Sequence, residues 1–312
     1  MNKEIIMYKK IVFLVLILTI IMSTISCAQN HSNITLTNSY DNSPRELHKL
    51  FFWRVRSKVS VVYILGSIHV GNKNMFPLSE MIEVAFDASD NLAVEIDPEK
   101  VNEKKIKKYL EYPENDSLQN HISPDTYARL INTFARFGVS QSKISKMKPA
   151  AAVTSLVMIN LDALGYDPEF GIDKYYLDDA RNKKNILELE TPEQQLLLMD
   201  SLGEEYIEYS LQDISRWNKE IKILINAWKT GDTEMVENFF ERAAGYPGGK
   251  GFLNKFIYRR NQTMTEKIEK YLKSEGRYFV VVGAAHLVGK NGIINKLKET
   301  GKYQVVQMSD FN

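Results

Sequence analysis

Two histidines, His69 and His286, follow strand-like hydrophobic runs at the same distance from a glycine, although they lie near opposite ends of the chain. The first run reads VVYILGSIH over residues 61–69, and the second reads YFVVVGAAH over residues 278–286. Long β-branched and aromatic runs are typical of strands buried on both faces, and a glycine lets the backbone turn where the strand stops. Each histidine is therefore predicted at the carboxyl end of a core strand, where open α/β sheets place ligand sites.

We predict that the two imidazoles face one crevice and share a site. The alternative for each histidine is structural, an imidazole that caps the strand end by a backbone hydrogen bond. Random placement of 16 glycines and 5 histidines in 312 residues would give about 0.26 Gly-x-x-His matches by chance. Two matches, each after a hydrophobic run, favour a functional role.

A third predicted strand ends in Val94-Glu95-Ile96-Asp97, which places a carboxylate beside the core. A buried carboxylate normally needs a cation or a metal ion as its partner. Two imidazoles and one carboxylate form a familiar set for a divalent metal with open positions. We therefore predict that His69, His286 and Glu95 bind a divalent ion, for which zinc is one choice. The alternative is a salt bridge between Glu95 and Arg260 or another basic residue.

Two further segments supply candidate polar groups. Glu190 ends a fourth predicted strand and is a reserve candidate for a general base, unless it only serves the turn into the helix that begins at Thr191-Pro192. Arg260 and Asn261 lie within a long predicted helix, where a surface position is the default for an arginine. A guanidinium that pointed inward would stabilise an oxyanion or hold a substrate carboxylate.

Hydrophobic patterning predicts an α/β (α+β) fold, with a small mixed central sheet built from the two ends of the chain and a large helical insertion between them. The predicted strands are 50–56, 61–66, 91–96, 185–190, 278–283 and 303–308. The predicted helices are 79–90, one capped by Ser123, 149–164, 204–229, 232–242 and 252–273. The apolar helix 149–164 is too short to span a bilayer and is predicted to be buried.

The first 27 residues have the layout of a secretory signal: lysines, an apolar run from Ile11 to Met22, and small residues before Cys27. Met7 is an alternative start, since Lys9 and Lys10 still supply the basic flank. The position of Cys27 resembles a bacterial lipobox, which predicts lipidation of this cysteine and a membrane-anchored lipoprotein of the cell envelope. The alternative is ordinary signal cleavage nearby. Because Cys27 is the single cysteine, no internal disulfide can form.

The remainder of the chain divides into a predicted flexible tether, 28–45, rich in Asn, Ser and Thr, and a domain, 46–312. Forty basic and 39 acidic residues nearly cancel, and no basic stripe alternates with aromatics. The charge pattern therefore does not favour nucleic acid as a partner. The sequence does not set the oligomeric state.

Seven segments together resemble the TraB/GumN family in order and spacing, from about Leu50 to Met308. They are YILGSIHVG (63–71), VEID (94–97), GID (171–173), LETPEQQ (189–195), AWKTGD (227–232), RN (260–261) and VGAAHLVG (282–289). Ser67 stands where the family commonly has threonine, which keeps the hydroxyl group.

The resemblance implies a site built on His69, Glu95 and His286, with Arg260 and Asn261 close by. The family includes the TIKI metalloproteases, which need Mn or Co ions and cleave the amino-terminal part of Wnt proteins, and the PrgY- and TraB-type proteins that shut down peptide pheromone signalling. Its fold is similar to that of erythromycin esterase and of the ChaN haem-binding lipoproteins. These relatives imply a Mn or Co ion and a peptide or protein substrate.

The sequence therefore leaves two alternative functions, of which the first is preferred. In the first, it is an exported metal-dependent hydrolase acting on peptides, in which Arg260 with Asn261 stabilises the oxyanion or positions the substrate. In the second, it is a lipoprotein that sequesters a peptide or haem without catalysis, and Glu95 is dispensable.

Overall fold

The computed structural model describes residues 47–101, 103–211, 214–245 and 249–311. The predicted signal segment, the lipidation site Cys27 and the tether lie outside these residues, so they stay predictions. Within the described part of the chain, no helix is both long enough and apolar enough to cross a membrane.

All six predicted strands are present and form one mixed sheet. They are β1 (Leu47–Arg56), β2 (Ser60–Ser67), β3 (Asn91–Val94), β4 (Asn185–Glu188), β5 (Gly276–Gly283) and β6 (Gln304–Phe311). Their order across the sheet is β4-β3-β5-β2-β1-β6. Strands β4, β3, β5 and β2 run parallel to one another, whereas β1 is antiparallel to both of its neighbours, β2 and β6. The α/β (α+β) prediction is therefore confirmed.

The two strands that precede the histidines are neighbours. Strands β2 and β5 are parallel, with Gly66 opposite Val282 and Ser67 opposite Gly283. Val280 to Val282 and most side chains of β2 are buried, as expected for strands covered on both faces. Both Gly-x-x-His segments therefore leave the sheet at the same edge, which confirms the predicted pairing.

The acidic strand ends are shorter than predicted. Strand β3 stops at Val94 and β4 at Glu188, so Glu95 and Glu190 lie just beyond the ladder. The backbones stay together there, because the amide of Glu190 donates to the carbonyl of Glu95 at 2.8 Å. Two carboxylates thus meet beside the histidines.

Thirteen α-helices lie in the described residues, most of them between β3 and β4 or between β4 and β5. They are α1 (Glu80–Asp87), α2 (Glu103–Leu110), α3 (Pro124–Arg136), α4 (Gln141–Ile144), α5 (Pro149–Ala163), α6 (Ile172–Ala180), α7 (Pro192–Asp200), α8 (Glu204–Leu211), α9 (Ile214–Lys229), α10 (Thr233–Ala244), α11 (Gly249–Leu253), α12 (Arg259–Lys273) and α13 (Ile293–Glu299). The insertion is therefore not one block, because β4 comes from the middle of the chain. The predicted helix 204–229 is described as α8 and α9, on either side of residues 212–213.

The core has a sheet layer and a helical layer. Helices α6 and α12 pack on the parallel strands, and α9 packs on β1. The aromatic rings of Phe86, Tyr176 and Phe279 meet within 5.3 Å of one another, between α1, α6 and β5. Helix α5 is buried over residues 149–157, as predicted from its apolar composition. This packing fixes the strand ends on which the site is built.

Candidate functional site

His69 is positioned by the segment that leads into α6. Gly71 and Asp167 exchange two backbone hydrogen bonds of 3.0 and 2.8 Å, which dock residues 167–172 against the turn after β2. The approach is close at Gly171, where a Cβ atom would lie 2.6 Å from the carbonyl oxygen of His69. A side chain at 171 would push the two segments apart, so glycine is required there. This docking places Asp173, in the first turn of α6, beside the imidazole.

His69 is paired with a buried carboxylate. Its Nδ1 lies 2.7 Å from Oδ1 of Asp173. Its Nε2 is buried and has no hydrogen-bond partner among the described residues. Burial lowers the pKa of His69, but the charge and hydrogen bond of Asp173 outweigh this and raise it above the ordinary value. Asp173 thus shifts the balance at His69 towards the imidazolium form.

His286 is paired with an amide instead. It ends a single 3₁₀ turn, Ala284–His286, that follows β5 directly. Its Nδ1 lies 2.6 Å from Oδ1 of Asn261, and the Nδ2 of that amide donates to the carbonyl of Asn291 at 2.8 Å. Because the Asn261 nitrogen is committed as a donor, its oxygen accepts the Nδ1–H proton. The Nε2 of His286 is then the lone-pair nitrogen, and it has no hydrogen-bond partner in the described residues.

Burial is the main reason that His286 stays neutral. The imidazole is fully buried, and burial together with the nearby Arg260 cation lowers the pKa of His286 to about 4. A neutral imidazole with an unpartnered Nε2 and an anchored Nδ1–H is the form that binds metals.

Glu95 lies between the two motifs. Its Oε1 accepts the backbone N–H of Gly283 at 2.8 Å and lies 3.8 Å from Nε2 of His286. Its Oε2 accepts from Nη2 of Arg260 at 2.5 Å. Burial raises the pKa of Glu95, but Arg260, the two histidines and the Gly283 amide together lower it to about 2. Glu95 is therefore ionised at every physiological pH.

Arg260 is an inward-facing cation held by two carboxylates. Its Nε donates to both oxygens of Glu190 at 2.9 and 3.0 Å, and its Nη2 donates to Glu190 Oε2 at 2.5 Å. Gln195 joins them by donating to Glu190 at 2.9 Å. Burial lowers the pKa of Arg260, but Glu190 and Glu95 raise it above its ordinary value. The default surface position for this arginine is therefore wrong, and the predicted alternative, a Glu95–Arg260 ion pair, is present.

A π-helical turn, Asn254–Tyr258, precedes α12 immediately. Here the backbone N–H of Arg259 donates to the carbonyl of Asn254, five residues back, and Nη1 of Arg260 reaches the carbonyl of Phe256 at 3.1 Å. Such turns shift the side chains that follow relative to a regular helix, and they occur frequently at functional sites. The next two residues, Arg260 and Asn261, both point inward, one to the carboxylates and the other to His286.

The predicted site residues are thus together, but not all in the predicted arrangement. His69 and Glu95 line one small cavity with Asp173, and Glu95 faces His286. Among the described residues, no three His, Cys, Asp or Glu side chains are placed so that they jointly hold a metal ion. The two unpartnered Nε2 atoms fit a metal, whereas both oxygens of Glu95 already accept hydrogen bonds.

Sequence reasoning gave no role to two residues of the site. Asp173 fixes His69, and Gln195 bridges Glu190 and Glu95, the second contact at 3.4 Å. Their only signal in the sequence is membership of the segments 171–173 and 189–195 that carry the family resemblance. Asn261 lies close to the site as expected, but its hydrogen bond to His286 was not predicted.

Sequence comparison with known proteins finds relatives along most of the chain. The profile of the TraB/PrgY/gumN family matches residues 51–306. The YbaP proteins of Escherichia coli (strain K12) and Shigella flexneri are each 24% identical over 244 residues, covering 76% of this chain and 87% of theirs. A protein of Amphimedon queenslandica named as a metalloprotease TIKI homolog is 22% identical over 331 residues, covering 88% of this chain and 64% of that protein. No solved structure matches the chain significantly, so the predicted likeness to erythromycin esterase and ChaN stays a prediction.

Proposed function

The chain belongs to the TraB/PrgY/gumN family, and from this premise we propose that it is an exported, metal-dependent hydrolase that cleaves peptides. The peptide substrate is supported by the metalloprotease named among its relatives. The envelope location and the lipid anchor at Cys27 are supported by the layout of residues 1–27.

One observation carries the proposal. Two buried histidines at neighbouring strand ends each have Nδ1 fixed by a partner and Nε2 unpartnered. A buried nitrogen without a hydrogen bond costs free energy and is therefore rare unless a ligand uses it. Anchored Nδ1 with open Nε2 is the usual arrangement of histidines that bind metals.

His69 and His286 would hold a divalent ion, with Oε1 of Glu95 as the third ligand. Mn and Co are the proposed ions, and Zn also suits imidazole and carboxylate ligands. Such an ion activates water and polarises the carbonyl that is attacked. Asp173 and Asn261 keep both imidazoles in the binding orientation, because each accepts the Nδ1–H proton.

In this proposal Arg260 keeps Glu95 ionised and holds its side chain in place. Its guanidinium spans Glu95 and Glu190, so the second carboxylate balances the charge when Glu95 faces a metal. The oxyanion role of Arg260 with Asn261 and the general-base role of Glu190 remain proposals. Both oxygens of Glu190 accept hydrogen bonds from Arg260, and a general-base role would have to displace them.

The test is cleavage of a mixed peptide library by the purified mature protein, followed by mass spectrometry. Cleavage should stop in a chelator and return when Mn, Co or Zn is added. The double variant H69A/H286A should be inactive, which excludes a contaminating protease. His121→Ala is the matched control, since His121 is exposed and bonds Asp116 far from the site.

Cleavage that persists in chelator, or in the double variant, would contradict the proposal. Tight haem binding by a protein that cleaves nothing and tolerates Glu95→Gln would establish the binding lipoprotein instead.

A further inference from the structure

An apolar cleft opens beside His69. It contains about 630 Å³ of empty space, part of it open to solvent. It is lined by residues 67–70 at the end of β2, Ala284 and Ala285 after β5, Val236 of α10 and one face of α9. Apart from Ser67 and His69, every lining residue is apolar or carries only the indole nitrogen of Trp228. A cleft of this composition favours an apolar occupant.

Helix α9 supplies the wall opposite the histidine. Ile221, Leu224, Ile225 and Trp228 follow one another at helical spacing and all face the cleft. Trp228 is fixed, because its indole Nε1 donates to the carbonyl of Gly66 at 2.6 Å. This hydrogen bond ties α9 to the first Gly-x-x-His segment, so the spacing between the wall and His69 is fixed.

The cleft adjoins the small polar cavity of the site. Ser67 and His69 line both spaces, and Glu95 and Asp173 lie on the far side. A carbonyl group that reaches the site beside His69 would leave its neighbouring side chain facing the cleft. Shape and polarity thus assign one space to chemistry and the other to recognition.

We infer that the cleft is a specificity pocket for one large apolar side chain of a peptide substrate, next to the bond that is cleaved. This inference rests on the proposed function. An aspartate or lysine side chain entering the cleft would lose its hydration without gaining a partner of opposite charge. A leucine or phenylalanine would replace water against Ile221, Leu224 and Trp228. Selection among peptides follows from this difference.

The first experiment measures kcat/KM for capped hexapeptides that carry Leu, Phe, Ala, Ser or Asp at one position in turn. Leu or Phe should exceed Asp by about 100-fold or more at a single position, since a hydrophobic pocket rejects an unpaired charge. Leu224→Trp fills the cleft from the α9 side. It should lower kcat/KM for the Phe peptide about 10-fold more than for the Ala peptide.

Ile223→Trp is the matched control, because Ile223 is half-buried on the same helix but does not line the cleft. This variant should keep the Phe-to-Ala ratio of the unmodified protein. A ratio that is equal in all three proteins, or the absence of any apolar preference, would overturn the inference.

The second experiment separates binding from cleavage. Calorimetry of the chelator-treated protein with the Phe and Asp peptides should show binding of the Phe peptide alone, weakened by Leu224→Trp. If no peptide is ever cleaved but this binding is found, the hydrolase proposal fails and the pocket remains. Binding of myristate with no binding of either peptide would assign the cleft to an acyl chain and overturn the peptide pocket.

Discussion

The two Gly-x-x-His segments have the same local pattern and opposite electrostatic environments. Both leave adjacent parallel strands at one edge of the sheet, and both end in a buried histidine whose Nε2 has no partner among the described residues. His69 bonds the carboxylate of Asp173, which raises its pKa, whereas His286 bonds an amide and lies near Arg260. The motif therefore fixes where the imidazole lies, and elements distant in sequence fix its charge.

The difference in charge around the two histidines is compatible with one shared metal ion, because Glu95 lies between them. Glu95 accepts a hydrogen bond from the backbone N–H of Gly283 in the second segment. It also lines one cavity with His69 of the first segment. The Asp173 carboxylate adds negative charge beside His69, whereas the Arg260 guanidinium adds positive charge near His286. Each of the following experiments alters one side of that arrangement.

Removing the cation should have the largest effect. Arg260→Met leaves Glu95 and Glu190 buried without a counter-charge, so the free energy of unfolding should fall by about 3–5 kcal/mol. The pKa of His286 should rise in this variant, because Arg260 lowers it. Arg259→Met, on the exposed side of the same helix, should unfold like the unmodified protein in urea. Equal stability of the two variants would contradict the buried cluster.

The pH dependence of stability should separate the histidines in the metal-free protein. Burial and Arg260 lower the pKa of His286 from 6.5 to about 4, so its contribution is complete above pH 6.5 and disappears as the pH falls towards 4. The loss should be on the order of 3 kcal/mol, at 1.36 kcal/mol per pKa unit. The raised pKa of His69 has the opposite sign: its contribution is complete below pH 6.5 and is lost at higher pH.

Urea unfolding between pH 4 and 6.5, in chelator, checks this sign. His286→Gln should flatten the slope in that range, and His69→Gln should leave it. The same slope in His286→Gln as in the unmodified protein would show that the imidazole is not held neutral by burial.

Exchanging the partners should reduce the difference between the histidines. Asn261→Asp gives His286 a carboxylate, which should raise its pKa, and Asp173→Asn should lower the pKa of His69. Asp173→Asn should weaken metal binding by about 10- to 100-fold, as is usual when a residue that orients a ligand is lost. NMR titration of the imidazoles gives the first quantity and calorimetry the second. Unchanged pKa values would mean that these hydrogen bonds do not set the charge.

The smallest effect is expected at the first segment alone. Trp228→Phe removes the hydrogen bond to the Gly66 carbonyl, at a cost of about 1 kcal/mol in unfolding free energy. Because this indole bonds Gly66 and not His286, the pKa of His286 should stay low. A shift in the NMR titration of His286 would show that the two segments do not respond independently.

Much of this arrangement follows from local sequence. The hydrophobic runs before His69 and His286 predict the strands, since burial on both faces demands them. The partner of His69 could not be predicted, because Asp173 is 104 residues away and arrives through the docking of Gly71 on Asp167.

Nor does local pattern predict the arginine. The inward direction of Arg260 depends on a π-helical turn, which a regular helical periodicity does not predict. It also depends on two carboxylates that follow β3 and β4, far away in sequence. The lengths of β3 and β4 were overestimated for a related reason, because pairing in β3 stops at Val94 while the apolar pattern continues to Ile96.

The most direct test of the account is the number of metal ions that the two segments bind together. Calorimetric titration of Mn²⁺ into chelator-stripped protein, with metal analysis of the product, should give one ion per chain in the unmodified protein and in His121→Ala. His69→Ala and His286→Ala should each weaken binding by about 100-fold or more, beyond the usual effect of an orienting residue. Unchanged binding in either single variant would contradict a site shared by the two histidines.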